Sequence, residues 1–366
     1  MKRSQTSPAD GSLLVGVDFT SAPSKKKPIT VAVGRWIAAS PLPIYRLDEI
    51  RGLVSLHAYE SFLRENGPWL GGFDLPFGQP RTLIEHEGWP AEWPAFVRFY
   101  CSQSRNSLRD TFRRWCDARP SGDKFAWRRA DKPAGSSPAM RWTNPPVAWM
   151  MHAGIGRMLD AGLVFPAHRH GTALAHDHHG RVAADSRIAL EAYPGFTARK
   201  VCRTSYKSDT AVNQTPQRAA NRRAILRALE AGEAGLGITL EITPAWSRRL
   251  LADGSGDLID AVICGLQAGH AAMLPHYGLP ADLDPLEGWI ASVPPANGPG
   301  NPVAHAQTSL VRERLDFPSP VRIPSVFISA STQGKLPICL VPNGMSSCDQ
   351  PSSSQRLLQP TCRRQS

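Results

Sequence analysis

The chain lacks any long apolar segment. No stretch of its 366 residues reaches the 18 or more consecutive apolar residues of a membrane-spanning helix. Its N-terminal segment carries a Lys-Arg pair without the apolar run of a secretory signal peptide behind it. We therefore expect a cytoplasmic protein.

Cysteine is scarce and its spacing is irregular. The seven cysteines are an odd number and none of them belongs to a CxxC pair, which argues against a zinc ribbon and a disulfide framework. The sequence shows no internal repeat with a period of about 20 to 50 residues. With 42% hydrophobic residues, the chain has enough apolar side chains for one large core or two modest ones.

Periodic apolar patterning is missing from residues 291–366, which hold 11 of the 33 prolines and 12 serines. Ordering a chain costs about 1 to 2 kcal/mol per residue, and this segment has too few apolar side chains to offset that cost. We predict a disordered Pro/Ser-rich tail over 291–366, a flexible N-terminus over 1–11 and one folded domain over 12–290.

Basic residues outnumber acidic residues by 42 to 31, which gives a net charge of +11 and a pI near 9.6. A basic protein favours anionic partners such as nucleic acid. A solvated surface without any specific partner explains the same excess.

Short apolar runs between turn residues predict an α/β fold. Strands over 13–18, 29–37 and 43–47 follow one another closely and are expected to form an antiparallel meander. Two further buried strands are predicted over 69–74 and 188–193. Helices are predicted over 53–63, 93–116, 145–159, 215–232 and 257–273.

Residues 79–150 differ from the rest of the chain, and we interpret them as an insertion in the core fold. They hold six of the ten tryptophans, and between Arg98 and Arg141 there are 11 basic and four acidic residues. Such side chains could stack on and neutralise a single nucleic-acid strand. The candidate contact residues are Arg113, Arg114, Arg128 and Arg129. The tryptophans could instead cover the sheet as core, because each buries a large area.

Four acidic residues stand where a sheet binds its ligands. Asp18, Asp74 and Glu191 each end an apolar strand, and Asp260 stands near the start of a helix. The carboxyl ends of neighbouring strands open onto one crevice, so acids placed there converge although they are far apart in sequence. Buried carboxylates require a compensating cation, and oxygen ligands suit Mg²⁺ or Mn²⁺.

Each acid also has a structural explanation. Asp257 lies three residues before Asp260 on the same helix face, so it is either a second candidate ligand or the N-cap of that helix. Asp18 and Asp74 could be turn acids that accept from backbone amides. Glu191 could form a salt bridge with an arginine of the insertion.

The order of the motifs around these acids resembles the DUF429 family, a group of predicted RNase H-like nucleases. The motifs are Gly16-Val17-Asp18, Gly72-Phe73-Asp74-Leu75-Pro76-Phe77-Gly78, Glu191-Ala192-Tyr193-Pro194-Gly195, Ser205-Tyr206-Lys207, Asp257-Leu258-Ile259-Asp260-Ala261 and Gly288-Trp289-Ile290. The resemblance covers about residues 12–290. It implies an RNase H-like mixed sheet, flanked by helices, on which the four acids form a metal-binding catalytic set.

The leading hypothesis is therefore a nuclease that hydrolyses phosphodiester bonds of DNA or RNA with Mg²⁺ or Mn²⁺. In two-metal sites, ions about 3.5 to 4 Å apart stabilise both the attacking and the leaving oxygen. Lys207 could neutralise a phosphate oxygen as a point charge. It could instead form a weak surface pair with Asp209.

Two other functions stay open at the level of the sequence. A protein of this fold could bind nucleic acid without cleaving it, and the same superfamily of folds includes ATP-dependent phosphotransferases of the actin-like type. Against a phosphotransferase, the chain has no second Gly-rich phosphate loop and no duplicated domain.

Five histidines between His168 and His179 suggest a further metal site. Zinc sites take about four ligands from separate rigid elements, whereas this segment is one Gly-bounded polar loop without cysteine. We therefore expect an exposed hairpin loop here rather than a zinc site.

Overall fold

The structure is a computed structural model that describes residues 8–172 and 186–295. The strands are β1 (Leu13–Asp18), β2 (Ile29–Ile37), β3 (Ile44–Leu53), β4 (Trp69–Asp74), β5 (Arg187–Glu191) and β6 (Thr239–Glu241). The α-helices are α1 (Leu56–Leu63), α2 (Arg81–His86), α3 (Trp93–Ser102), α4 (Arg105–Asp117), α5 (Asp131–Ala134), α6 (Val147–Asp160), α7 (Pro194–Val201), α8 (Pro216–Glu230), α9 (Pro244–Ala252) and α10 (Asp257–Ala272). Residues 1–7, the predicted tail beyond 295, and His176, His178 and His179 lie outside the described residues.

The sheet is mixed, and its strand order is β5-β4-β1-β2-β3-β6. β1, β2 and β3 form an antiparallel meander, β4 and β5 continue the sheet parallel to β1, and β6 lies parallel to β3. The predicted α/β class, the mixed sheet with flanking helices and the meander are confirmed. Among residues 8–172 and 186–295, no helix combines the length and apolar character needed to span a membrane.

The third strand is longer than predicted, because its charged residues belong to it. β3 runs Ile44–Leu53, past its predicted end at residue 47. Arg35 on β2 donates from Nε to Oδ2 of Asp48 on β3 over 2.8 Å, so these charges face solvent as a cross-strand pair. Helix α1 therefore starts later than predicted, after an N-cap by the Ser55 hydroxyl.

Several short elements are not predicted by the sequence pattern. The Pro-Gly pair that ends the strand before it also opens α7, because Pro194 occupies a position at the helix start where no N–H is needed. α9 starts in the same way at Pro244, after an N-cap by Thr243. β6 has only three residues, which is too few to show a periodicity.

The insertion packs on one face of the sheet. A single apolar cluster joins Val17 of β1 to Phe112 of α4. Trp93, Trp115 and Trp149 are buried in this cluster. The interpretation of the insertion tryptophans as core is confirmed for these three, whose rings are not available to stack on bases, whereas Trp127 is 36% exposed.

Helix α10 rests directly on the opposite face of the sheet because two strand glycines allow it. A Cβ atom on Gly16 would lie 1.9 Å from the carbonyl oxygen of Ala261, and one on Gly72 would lie 2.2 Å from that of Cys264. Any side chain at these positions would push the helix backbone away. The close approach sets the start of α10 beside the carboxyl ends of β1 and β4.

Packing extends a few residues beyond the predicted domain boundaries, residues 12 and 290. The backbone N–H of Ala291 donates to the carbonyl oxygen of Glu191 over 2.9 Å. Val293 is buried, and its carbonyl oxygen accepts from the Trp289 indole. At the other end, the backbone N–H of Gly11 donates to β2. Ordered packing therefore continues past residue 290 and begins before residue 12.

Candidate active site

Asp18 and Asp74 lie side by side at the carboxyl edge of the sheet. They are the last residues of the parallel neighbours β1 and β4 and are register partners. Their side chains share the sheet face of Gly16 and Gly72, two residues earlier, because side chains alternate along a strand. That is the face on which α10 packs. Both carboxylates therefore point towards the start of α10.

The two carboxylates have no local partner that would explain their place in the fold. Within residues 8–172 and 186–295, no hydrogen bond reaches the side chain of Asp18 or Asp74, so neither is a turn acid. Burial, reinforced by the charge of Asp260, raises the pKa of Asp18 well above its ordinary value. Burial also raises the pKa of Asp74 to about 7, against the opposing charge of Lys207. These are acids that lack a compensating charge of their own.

Asp260 is the third acid of this edge, and it does have partners. It lies fully buried in the first turn of α10, where the helix dipole favours a negative charge. It accepts hydrogen bonds from the Tyr206 hydroxyl and the Lys207 ammonium group. Although burial opposes it, the charge of Asp260 helps to hold the pKa of Lys207 well above its ordinary value. Of the two alternatives for Lys207, the pair with Asp209 does not form, because Asp209 pairs with Lys27 and Lys207 pairs with Asp260.

Glu191 does not join this set, because its register places it on the other face. It is the partner of Phe73, one residue before Asp74, so its side chain points towards the insertion. There Arg128 binds both of its oxygens, with N···O distances of 2.7 and 2.6 Å, and the Phe77 N–H donates to one of them. Of the two explanations that the sequence left open, the structure shows the salt bridge with an arginine of the insertion.

Arg128 was predicted on an exposed substrate-binding surface, and that prediction is wrong. Its side chain is 2% exposed, and it also binds Asp131 at 2.8 Å, so all of its charge is used inside the protein. Arg129 reaches solvent but pairs with Asp282. Arg113 and Arg114 lie exposed on α4, and Arg114 is 3.6 Å from a carboxylate oxygen of Glu87. The four arginines do not form a single contact surface.

Asp257 is neither a helix cap nor a free ligand. Gly256 occupies the N-cap position of α10. The Lys27 ammonium group lies 2.8 Å from Asp257 and 2.6 Å from Asp209, so it joins the segment after β1 to the start of α10. Asp257 therefore forms an ion pair, whereas Asp18 and Asp74 form none with the residues that the structure describes.

His168 belongs to the core and not to an exposed loop, contrary to the prediction. Its ring stacks on Trp93 with the centroids 4.2 Å apart, and its Nδ1 lies 2.7 Å from the carbonyl oxygen of Pro285. Burial lowers the pKa of His168 to about 3. It is a neutral structural residue at physiological pH.

A divalent ion at Asp18 and Asp74 fits the chemistry of the donors present. In the part of the chain that the structure describes, no three His, Cys, Asp or Glu side chains lie close enough together to form a ready-made metal cage. Mg²⁺ is usually held by one or two carboxylates together with water and substrate phosphate oxygens. Asp18 and Asp74 are two such carboxylates without hydrogen bonds, while Lys207 and Tyr206 engage Asp260.

A cleft of about 280 Å³ opens beside Asp74. Its walls are the start of α7 and the segment that follows this helix, and they contribute Tyr193, Arg199, Arg203 and Lys207. No role was predicted from the sequence for Tyr193, Arg199 or Arg203. The visible signal was a run of basic residues just after the Glu191 motif.

Comparison with known proteins finds no matching family model, curated protein or solved structure. The resemblance to the DUF429 family remains a prediction from the motifs.

Proposed function

We propose that the protein is a divalent-metal-dependent nuclease with an RNase H-like fold that hydrolyses phosphodiester bonds of DNA or RNA. The observation that carries this proposal is the Asp18–Asp74 pair. Asp18 is buried and Asp74 is half-buried, and neither carboxylate accepts a hydrogen bond from the described residues; they stand together at the carboxyl ends of parallel strands, where α/β sheets bind their ligands.

The architecture supports the RNase H-like assignment. An antiparallel meander is extended by parallel strands on the side of β1, and the aligned acids end the neighbouring strands β1 and β4. The helix on the adjoining face, α10, contributes Asp260 from its first turn. This placement agrees with three of the four acids that the family resemblance implies.

A divalent ion held by Asp18 and Asp74 would polarise a phosphodiester and lower the pKa of a bound water. Lys207 is placed to neutralise a phosphate oxygen, because its ammonium group lies among the carboxylates and its side chain is 41% exposed. Asp260 holds and orients this ammonium group. Glu191 lies on the other face of the sheet, where it forms an ion pair with Arg128.

A non-catalytic nucleic-acid-binding protein fits this edge less well. Phosphate groups are repelled by carboxylates, so a site that only binds them would not place two acids that form no ion pair with the described residues beside its cleft. These two acids suit a site where a metal cation binds together with the phosphate and offsets the repulsion between them. The phosphotransferase alternative shares that requirement and is separated from the nuclease by experiment.

The test uses labelled single-stranded and duplex oligonucleotides of DNA and RNA, incubated with the purified protein in Mn²⁺, Mg²⁺ or EDTA. We expect cleavage that needs the metal, is lost in Asp74→Asn and is retained in Arg113→Ala. Asp74→Asn purified in parallel also controls for a contaminating nuclease. Binding without cleavage, or metal-dependent ATP hydrolysis without cleavage, would overturn the proposal.

A further inference from the structure

The cleft beside Asp74 is lined by more basic than acidic side chains. Of the residues that line it, only Asp74 is acidic, while Arg199, Arg203 and Lys207 are basic. Lys207 donates a hydrogen bond to Asp260. Arg199 donates to a backbone carbonyl oxygen and lies over the Tyr193 ring. Arg203 is exposed and forms no ion pair or hydrogen bond with any residue in the described ranges. It is a free cation at the edge of the site.

A second group of exposed cations lies in the segment that follows β1. Lys25 and Lys26 follow β1 and are exposed, and neither pairs with an acid among the residues the structure describes. Their neighbour Lys27 anchors this segment to Asp257 at the start of α10. Exposed cations therefore stand on two segments near the carboxylates, at Arg203 and at Lys25 and Lys26.

The acids themselves are recessed, which limits what can reach them. Asp18 is 9% exposed and Asp260 is fully buried. A DNA duplex is a stiff rod with a persistence length of about 150 base pairs, so it does not fold its backbone into a cleft of this size. A single strand can bend at each phosphate. Proteins that hold single strands combine a basic groove with an aromatic ring on which bases stack, and Tyr193 supplies such a ring in the cleft wall.

We infer that the substrate is a single-stranded nucleic acid that crosses the carboxylate edge, with its phosphates held by Arg203 and by Lys25 and Lys26, and with Tyr193 beside its bases. This rests on the proposed function and specifies its substrate. It also replaces the insertion as the main contact surface. The insertion tryptophans Trp93 and Trp115 are buried and so cannot stack on bases.

Equilibrium binding of fluorescent single-stranded and duplex oligonucleotides in EDTA tests this without cleavage. We expect the wild-type protein to bind the single strand at least about tenfold more tightly than the duplex, a difference of about 1.4 kcal/mol. Arg203→Ala should weaken single-strand binding about fivefold and reduce the salt slope by about 0.7, the value for one lost phosphate contact on a single strand. Arg203→Lys should retain most of the affinity.

The matched control is Arg113→Ala combined with Arg114→Ala, which removes two exposed cations from α4. We expect it to change single-strand affinity less than Arg203→Ala does, and Lys25→Ala with Lys26→Ala to act like Arg203→Ala. Tighter duplex binding, or loss of affinity in the α4 variant alone, would overturn the inference. Metal-dependent cleavage confined to duplexes would overturn it while leaving the proposed nuclease intact, whereas absence of cleavage on every substrate would overturn the nuclease itself.

Discussion

Glu191 is the register partner of Phe73 and not of Asp74. This offset of one residue sends its carboxylate to the opposite face of the sheet from Asp18 and Asp74. The three strand-end acids, which look equivalent in the sequence, therefore have two different roles. Asp18 and Asp74 form no ion pair with the described residues, whereas Glu191 is paired with Arg128.

The first prediction concerns Asp74 and pH. Because the folded protein keeps a proton on Asp74 up to a pKa of about 7, while the unfolded chain loses it near 3.8, stability falls as the pH rises through this window. Asp74→Asn cannot ionise. In EDTA at pH 8 we expect it to be more stable than the wild type by a free energy of unfolding on the order of 4 kcal/mol, since one pKa unit corresponds to about 1.4 kcal/mol.

At pH 4 the gain from Asp74→Asn should be much smaller, because the wild-type carboxyl is then protonated in the folded state. Urea unfolding at the two pH values measures the difference. A variant that is less stable than the wild type at pH 8 would show that the Asp74 carboxylate has a structural partner after all.

The second prediction separates the buried ion pair from the metal site. Arg128→Met leaves two buried carboxylates, Glu191 and Asp131, without their cation, so it should destabilise the protein by about 3 to 5 kcal/mol. Glu191→Gln leaves Arg128 paired with Asp131 and should cost less, about 1 to 3 kcal/mol. Arg114→Met, which removes an exposed arginine, should cost less than about 1 kcal/mol.

Urea unfolding of the three variants ranks these effects. If Glu191→Gln were as stabilising as Asp74→Asn at pH 8, the two carboxylates would share one environment, and the division between the two faces of the sheet would be wrong.

The third prediction tests the contact between α10 and the sheet. Gly16→Ala places a methyl group against the helix backbone at Ala261, which cannot move aside as a flexible side chain would. We expect a loss of stability of about 1 to 3 kcal/mol or more, together with loss of cleavage, because Asp260 moves away from Asp18. Gly52→Ala is the matched control, since its methyl group meets only the side chain of Pro28 at 3.3 Å.

Thermal melts and the oligonucleotide assay report both effects of Gly16→Ala. A variant with the melting temperature of the wild type would mean that α10 is not seated on β1 as closely as described.

The fourth prediction concerns the C-terminal boundary. A chain that ends after residue 290 lacks Val293, whose full burial contributes about 1.5 to 3 kcal/mol, and the backbone hydrogen bond from Ala291 to β5. It should melt at a lower temperature than a chain that ends after residue 295. Equal melting temperatures would place the domain boundary at residue 290, as the composition alone suggested.

The sequence predicts the strands that carry the site better than it predicts the partners of the acids. β1 and β4 are continuous apolar runs, so their ends, Asp18 and Asp74, are identified correctly from local pattern. The predicted β3 ends too early, because the charged residues that alternate along its second half are also typical of a turn. α7 was missed because Pro194 ends one element and begins another.

The ion pairs could not be predicted because they join distant parts of the chain. Arg128 meets Glu191 only when the insertion folds onto the sheet, and Lys207 meets Asp260 only when α10 is seated on β1. Nothing in the local sequence tells a carboxylate with a partner from one without. The sequence therefore predicted four equivalent acids where the structure shows two acids without partners.

The most direct test of the account is the affinity of the protein for Mn²⁺, measured by titration calorimetry at pH 8 in the wild type, Asp74→Asn and Asp257→Asn. If Asp18 and Asp74 hold the ion, Asp74→Asn should weaken binding at least about tenfold, or about 1.4 kcal/mol. Asp257→Asn, whose carboxylate already pairs with Lys27, should change it by less than that. Equal Mn²⁺ affinity in the wild type and Asp74→Asn would contradict the metal site and the nuclease built on it.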